Sequence, residues 1–129
     1  MTYSETANRI LDSAERMARQ GGYNSFSFRE IATEIGIKSA SVHYHFANKE
    51  VLGAALAERY TDRFLAGLGE ATAERPDEML RRYAASYRRA LIEDGQMCLC
   101  GMFGAEIGDL PDTVARQTRA FFDRNIEWL

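Results

Sequence analysis

Residues 27–50 have the sequence SFREIATEIGIKSASVHYHFANKE, which carries the strongest structural signal in the chain. Ser27 and Glu30 have the spacing of a capping box, in which the serine hydroxyl accepts a hydrogen bond from a free backbone N–H at a helix start. Apolar residues follow at helical spacing, and Gly36 suits a helix end. A further amphipathic segment begins two or three residues later. The pattern predicts a helix-turn-helix over residues 28–46.

The second of these helices has one apolar side and one polar side. Val42 and Phe46 lie four residues apart and form the inner side. The outer side is small at its start and carries hydroxyl and imidazole groups, which suits a major groove about 12 Å wide. Such groups can donate to phosphates or base edges. The side chains predicted to contact DNA are Arg29, Lys38, Ser39, Ser41, His43, Tyr44, His45 and Lys49.

Three cations in this set have distinct expected partners. Arg29, in the first turn of the first helix of the motif, is the candidate for a bidentate contact to guanine. Lys38 and Lys49 bracket the second helix and are expected near the two flanking phosphate backbones. The alternative for both histidines is that they are solvated surface residues, and their i, i+2 spacing makes metal binding improbable.

These residues, with the turn before them, resemble the signature of the TetR family of transcriptional regulators. The similarity covers about residues 8–55. The matching elements, in order, are Gly22-Tyr23, Arg29-Glu30-Ile31-Ala32, Ile35-Gly36-Ile37, Tyr44-His45-Phe46 and Lys49-Glu50. Two positions differ from the family pattern: Lys38 replaces the usual serine cap, and His43 precedes Tyr44.

The resemblance implies roles for matching positions and an architecture for the chain. It places base or phosphate contacts at the recognition-helix positions above and a phosphate contact at Lys49. It also implies a DNA-binding head, residues 1–48, followed by a helical ligand-binding and dimerisation body, residues 49–129. Family members usually have two further helices that build the dimer, so we expect a partial body, truncated after Leu129.

The rest of the chain also predicts an all-α protein. No stretch shows sustained alternation with β-branched residues, and only two prolines occur. Thr2 and Glu5 have capping-box spacing for a first helix over about residues 3–20. Further helices are expected over about residues 49–68, from 76 to a break at 94–95, over 97–107, and from 111 onward.

A small, mostly hydrophobic effector is the expected ligand of the body. Aromatic residues on its helices could line a cavity, and those selected as lining residues are Tyr83, Tyr87 and Phe103. The alternative is that these aromatic residues are core residues.

Cys98 and Cys100 could sense oxidants if either thiol were acidic and accessible. The alternative is that both cysteines are small core residues.

The sequence bears on three classes of function. The net charge of −3 does not by itself indicate a nucleic-acid partner, so DNA contact must come from local placement of charge. A ligand-responsive repressor that binds a palindromic operator as a homodimer fits the motif. The alternative is a helical protein-interaction module without DNA binding. No catalytic constellation, cofactor motif or metal-ligand spacing is present, so an enzyme is not expected. A cytoplasmic location, without a membrane partner, is the default expectation.

Overall fold

The computed structural model describes residues 3–71 and 75–129. Within these residues there are seven α-helices, two short 3₁₀ turns and no strand, which confirms the all-α prediction. The helices are α1 (Glu5–Gly21), α2 (Phe28–Ile35), α3 (Ser39–His45), α4 (Lys49–Leu68), α5 (Pro76–Ile92), α6 (Leu99–Ala105) and α7 (Asp112–Trp128). The 3₁₀ turns are Tyr23–Ser25 and Ile107–Asp109.

Side-chain caps begin α1, α2 and α4, whereas α3 begins after Lys38 without one. The hydroxyl of Ser27 accepts from the backbone N–H of Glu30 at 3.2 Å, as its spacing predicts. Gly36 ends α2 in the left-handed region, with φ 75°. The predicted cap of α1 involves Thr2, which lies outside the described residues. In the structure the cap is Ser4, whose hydroxyl accepts from the N–H of Ala7 at 3.1 Å.

The helix predicted over residues 97–107 is shorter, because both of its ends are engaged elsewhere. The carbonyl oxygen of Met97 accepts from the Nε of Arg19 at 2.7 Å, which holds this residue outside α6. At the other end the backbone tightens into the 3₁₀ turn after Glu106. The α7 helix begins at Asp112, so Pro111 is its N-cap rather than its first helical residue.

One hydrophobic core runs through the described part of the chain. It joins side chains of α1, α2 and α3 to those of α4, α6 and α7, and its largest fully buried members include Phe26, Ile10, Ile31, Leu52, Leu56, Phe103 and Phe121. The α4 helix packs along α7 and also contacts α1, α5 and α6. The core therefore continues across the expected boundary between residues 48 and 49.

The C-terminal half exposes more large apolar side chains than the N-terminal half does. Large apolar side chains are exposed on α5 and α7, among them Leu80, Leu91, Ile92, Phe122 and Ile126. Among the described residues no helix combines the length and apolarity needed to cross a membrane.

Candidate nucleic-acid interface

The α3 helix presents one side to the core and the other to solvent. Val42 and Phe46 are buried, and α3 packs against α2 and α1. Tyr44, two residues from each of them, is 85% exposed. Ser39, Ala40 and His43 are also exposed. A short helix whose inner side is packed against the core and whose outer side is exposed can enter a DNA groove as a rigid element.

The polar groups of this outer side are largely unengaged. Across the described residues the hydroxyls of Ser39, Ser41 and Tyr44 have no hydrogen-bond partner within the chain, and the ring of Tyr44 lies edge-on to that of His45, with centroids 5.1 Å apart. Unpaired donors on an exposed surface remain available to a ligand with many acceptor oxygens, such as a phosphate backbone.

His43 is more constrained than its neighbours. Its ring lies against the ring of Phe28 on α2, with centroids 4.5 Å apart, and its Nδ1 lies 3.3 Å from the carbonyl oxygen of Ala47. If Nδ1 carries the proton and donates to that carbonyl, Nε2 is left as an acceptor on the exposed side. Phe28 therefore fixes the direction in which this imidazole points.

Two of the predicted cations are free on the same part of the surface. Arg29 and Lys38 are both exposed, and neither forms an ion pair among residues 3–71 and 75–129. The neighbouring carboxylate of Glu34 is already bonded to Arg16 and Ser13 of α1. The positive charges of Arg29 and Lys38 thus remain available to a polyanion.

Lys49 occupies a different environment from the other predicted site residues. Its Nζ lies 4.5 Å from the ring centroid of Tyr23 and 4.6 Å from that of Phe26, a double cation–π contact. Burial lowers the pKa of this ammonium group, although the carboxylates of Glu30 and Glu106 partly oppose that effect. The side chain would have to leave these rings to reach a phosphate.

The turn under Lys49 is held by the C-terminal half of the chain. The backbone N–H of Tyr23 donates to the carboxylate of Glu106 at 3.0 Å, and the Tyr23 ring packs edge-on against Phe103. Nearby, the hydroxyl of Thr113 donates to the carboxylate of Glu50 at 2.8 Å. Glu106 thus joins the segment after α6 to the turn that precedes α2, and Thr113 joins α7 to the first turn of α4.

The three side chains predicted to line an effector cavity do not form one cluster. The hydroxyls of Tyr83 and Tyr87 lie 3.2 Å apart, and both rings contact Phe64. Phe103 is fully buried and packs against Tyr23, and within the described residues its ring contacts neither Tyr83 nor Tyr87. Burial, and then the hydrogen bond with Tyr83, raise the pKa of the Tyr87 hydroxyl.

The two cysteines are unbonded thiols in unequal settings. Cys100 is fully buried, and its burial raises the pKa of the thiol far above its usual value. Cys98 is half-buried. A buried, strongly protonated thiol is a poor nucleophile, so Cys100 resembles a core residue.

A pocket between α1, α4 and α5, lined in part by Arg19, Arg63 and Arg89, was not predicted from the sequence. These arginines are more than twenty residues apart in sequence and share no motif. The sequence offers one hint, which is that Arg19 follows the apolar stripe of α1. The structure shows that Arg19 is buried.

The comparisons with known proteins agree with this arrangement. A family model described as "Bacterial regulatory proteins, tetR family" matches residues 10–56. The solved structure of a TetR transcriptional regulator from Legionella pneumophila has a TM-score of 0.87 and 39% identity, over 100% of this chain and 72% of that one. A TetR-family regulator from Agrobacterium tumefaciens has a TM-score of 0.87 and 35% identity, over 95% of this chain and 66% of that one.

A curated relative shows similarity over a shorter part. The class D tetracycline repressor protein of Escherichia coli is 31% identical over 87 residues, which are 64% of this chain and 38% of the repressor. The matched part thus spans well under half of that relative.

Fold and surface together define an all-α helix-turn-helix protein with a helical body. The extent and identity of the match to the Legionella regulator are decisive. The chain belongs to the TetR family of bacterial transcriptional regulators.

Proposed function

We propose that the chain is a DNA-binding repressor that inserts α3 into the major groove of its operator. The observation that carries the proposal is the two-sided burial of α3: Val42 is fully buried while Tyr44 is 85% exposed. Base or phosphate contacts are assigned to exposed or half-buried side chains on α2, on α3 and at the N-cap of α3, namely Arg29, Lys38, Ser39, Ser41, His43, Tyr44 and His45. Lys49 joins them only when its side chain leaves the rings of Tyr23 and Phe26.

A palindromic operator and a homodimer belong to the same proposal. Two recognition helices roughly 34 Å apart would occupy successive major grooves and double the contacts. The apolar side chains exposed on α5 and α7 support self-association through the C-terminal half, because large exposed apolar patches commonly mark interaction sites. Residues 1–48 would then act as the DNA-binding head and residues 49–129 as the regulatory body.

Responsiveness to a small effector completes the proposal. An effector changes operator affinity only if it binds the DNA-bound and free conformations differently. The contacts of Glu106 with Tyr23 and of Thr113 with Glu50 supply a physical link from the C-terminal half to the start of α4. A ligand that displaces α6 or α7 would therefore shift the helix-turn-helix.

The test is a gel-retardation assay on the DNA upstream of the gene that encodes this chain. We expect a sequence-preferring complex whose affinity falls steeply between about 50 and 200 mM salt, because binding releases counterions. Tyr44→Ala should weaken it by about tenfold through the loss of one groove contact, with the unfolding midpoint unchanged.

Gln20→Ala, an exposed polar change at the end of α1, is the matched control and should bind as wild type. The absence of a salt-sensitive, sequence-preferring complex would leave the protein-interaction module as the better hypothesis. Sedimentation of the same sample distinguishes dimer from monomer.

A further inference from the structure

A pocket of about 220 Å³ opens between α1, α4 and α5, where α1 meets the body. Its floor includes Arg19, from the last turn of α1, and the ring of Tyr60. The ring of Phe64 stacks beside that of Tyr60, with centroids 6.3 Å apart, and Gly67 and Ala90 leave space at the wall. The pocket thus has an aromatic side, and its volume lies below the roughly 300 Å³ at which pockets for drug-sized ligands begin, so it suits only a small ligand.

A buried arginine forms the polar end of this pocket. Arg19 is only 8% exposed, its Nε donates to the carbonyl oxygen of Met97, and its Nη1 lies 3.5 Å from a carboxylate oxygen of Glu15. Its guanidinium carbon lies 5.6 Å from the ring centroid of Tyr60. Of the five N–H donors of a guanidinium group, these contacts engage two, one of them weakly.

Two further arginines stand at the rim. Arg63 has only a loose ion pair with Asp12, at 3.8 Å, and in the described part of the chain the side chain of Arg89 has no partner. Two carboxylates also line the pocket, but Glu15 is already shared between Arg19 and Arg59. The lining contains three arginines and two carboxylates, so its net charge is positive.

We propose that this pocket binds the effector, and that the effector is a small amphipathic anion, an aromatic or aliphatic carboxylate. The inference rests on the proposed ligand-responsive regulator and names its ligand class. Arg63 and Arg89 would close over the carboxylate while Arg19 holds it from below, since guanidinium groups form strong charge-assisted hydrogen bonds with carboxylates. The apolar part of the ligand would lie on Tyr60 and Phe64.

The position of the pocket explains how such a ligand would act on DNA binding. Arg19 belongs to α1, which packs on α2 and α3, whereas Arg63 and Arg89 belong to α4 and α5. A bound anion would therefore tie the head to the body. It would also compete for the Arg19 donors that hold Met97, just before α6, and α6 leads to the contact of Glu106 with Tyr23.

The experiment measures binding to the free protein by isothermal titration, with 2-naphthoate and two other carboxylates of similar size, each paired with its neutral amide. At least one carboxylate should bind with a Kd about tenfold or more below that of its amide, the difference made by one favourable charge contact. The double variant Arg63→Gln, Arg89→Gln should remove that preference. Both residues are exposed, so the fold should be retained.

The matched control is Arg81→Gln with Arg88→Gln, which removes the same charge from exposed positions on α5 outside the pocket. It should keep the preference. Failure of every carboxylate to bind, equal binding of acid and amide, or equal losses in the two double variants would overturn the inference. Because titration uses no DNA, those results leave operator binding standing, whereas the loss of the retardation complex overturns the proposed function instead.

Discussion

Gly22 is the residue whose backbone most constrains the junction behind the helix-turn-helix. Its φ of 87° with ψ of −170° lies in a region that is essentially limited to glycine. A Cβ at this position would also overlap the carboxylate of Glu106, which accepts from the N–H of Tyr23. A glycine at position 22 thus allows the backbone to form the turn and leaves room for the Glu106 carboxylate that binds the turn.

Gly22→Ala should therefore destabilise the protein by about 2 kcal/mol, through backbone strain and displacement of Glu106. Gly67→Ala is the matched control, because Gly67 is helical and a Cβ there meets nothing within 4 Å. The control should leave stability unchanged or raise it by up to about 0.5 kcal/mol. Urea unfolding measures both, and equal effects of the two changes would contradict the assignment.

The two thiols should differ sharply in reactivity. Burial keeps the pKa of the Cys100 thiol far above neutral pH, so it stays protonated, whereas Cys98 is partly accessible. A thiol reagent such as N-ethylmaleimide should label the folded protein at Cys98, and Cys98→Ser should abolish fast labelling. Mass spectrometry assigns the site. Fast labelling of Cys100 in the folded protein would show that this part of the core opens.

At the scale of elements, the start of α4 connects the recognition helix to the body. Asn48 caps it, with its side-chain oxygen accepting from the N–H of Val51 at 2.9 Å. Asn48→Ala should cost about 1 kcal/mol of stability, since the free N–H loses its partner. Asn48→Asp keeps the acceptor and should stay near wild type. Equal stability of Asn48→Ala and wild type, measured by thermal unfolding, would count against the cap.

The helices that were predicted well are those whose ends are fixed by local chemistry. The bounds of α4 follow from its cap at Asn48 and from Gly69, and those of α2 from Ser27 and Gly36. Such signals lie within a few residues of the helix end, so sequence alone contains them.

The elements that were predicted less well depend on contacts distant in sequence. The late start of α6 follows from Arg19, 78 residues before Met97. The separation of Phe103 from Tyr83 and Tyr87 has the same origin, because Phe103 packs on Tyr23. The inward position of Lys49 also depends on Tyr23 and Phe26. Periodicity identifies an apolar face but not the partner that it packs against.

On the scale of the whole molecule, the continuous core predicts that the head does not unfold on its own. The buried cluster joins α1, α2 and α3 to α4, α6 and α7, so loss of either half would expose the other. Trp128, the single tryptophan, bonds through its Nε1 to the carbonyl oxygen of Gly69 and reports on the body. Urea unfolding followed by Trp128 fluorescence and by circular dichroism should give coincident transitions. Separate midpoints would indicate two independent units.

Because one hydrophobic core joins the two halves of the chain, the position of α3 depends on the packing of the body. Glu106 contacts the turn before α2, and Thr113 contacts the first turn of α4. A change in the packing of α6 or α7 would therefore reach both ends of the helix-turn-helix, and this is the physical basis of the effector response that we propose.

Cross-linking from the outer side of α3 tests the central proposal most directly. A photoreactive p-benzoylphenylalanine is placed at position 44 in one variant and at position 122, an exposed aromatic position on α7, in another. Each variant is irradiated in complex with labelled operator DNA. The account predicts a covalent protein–DNA adduct from position 44 and none from position 122. A complex that forms normally but gives no adduct at position 44, or equal adducts at both positions, would contradict it.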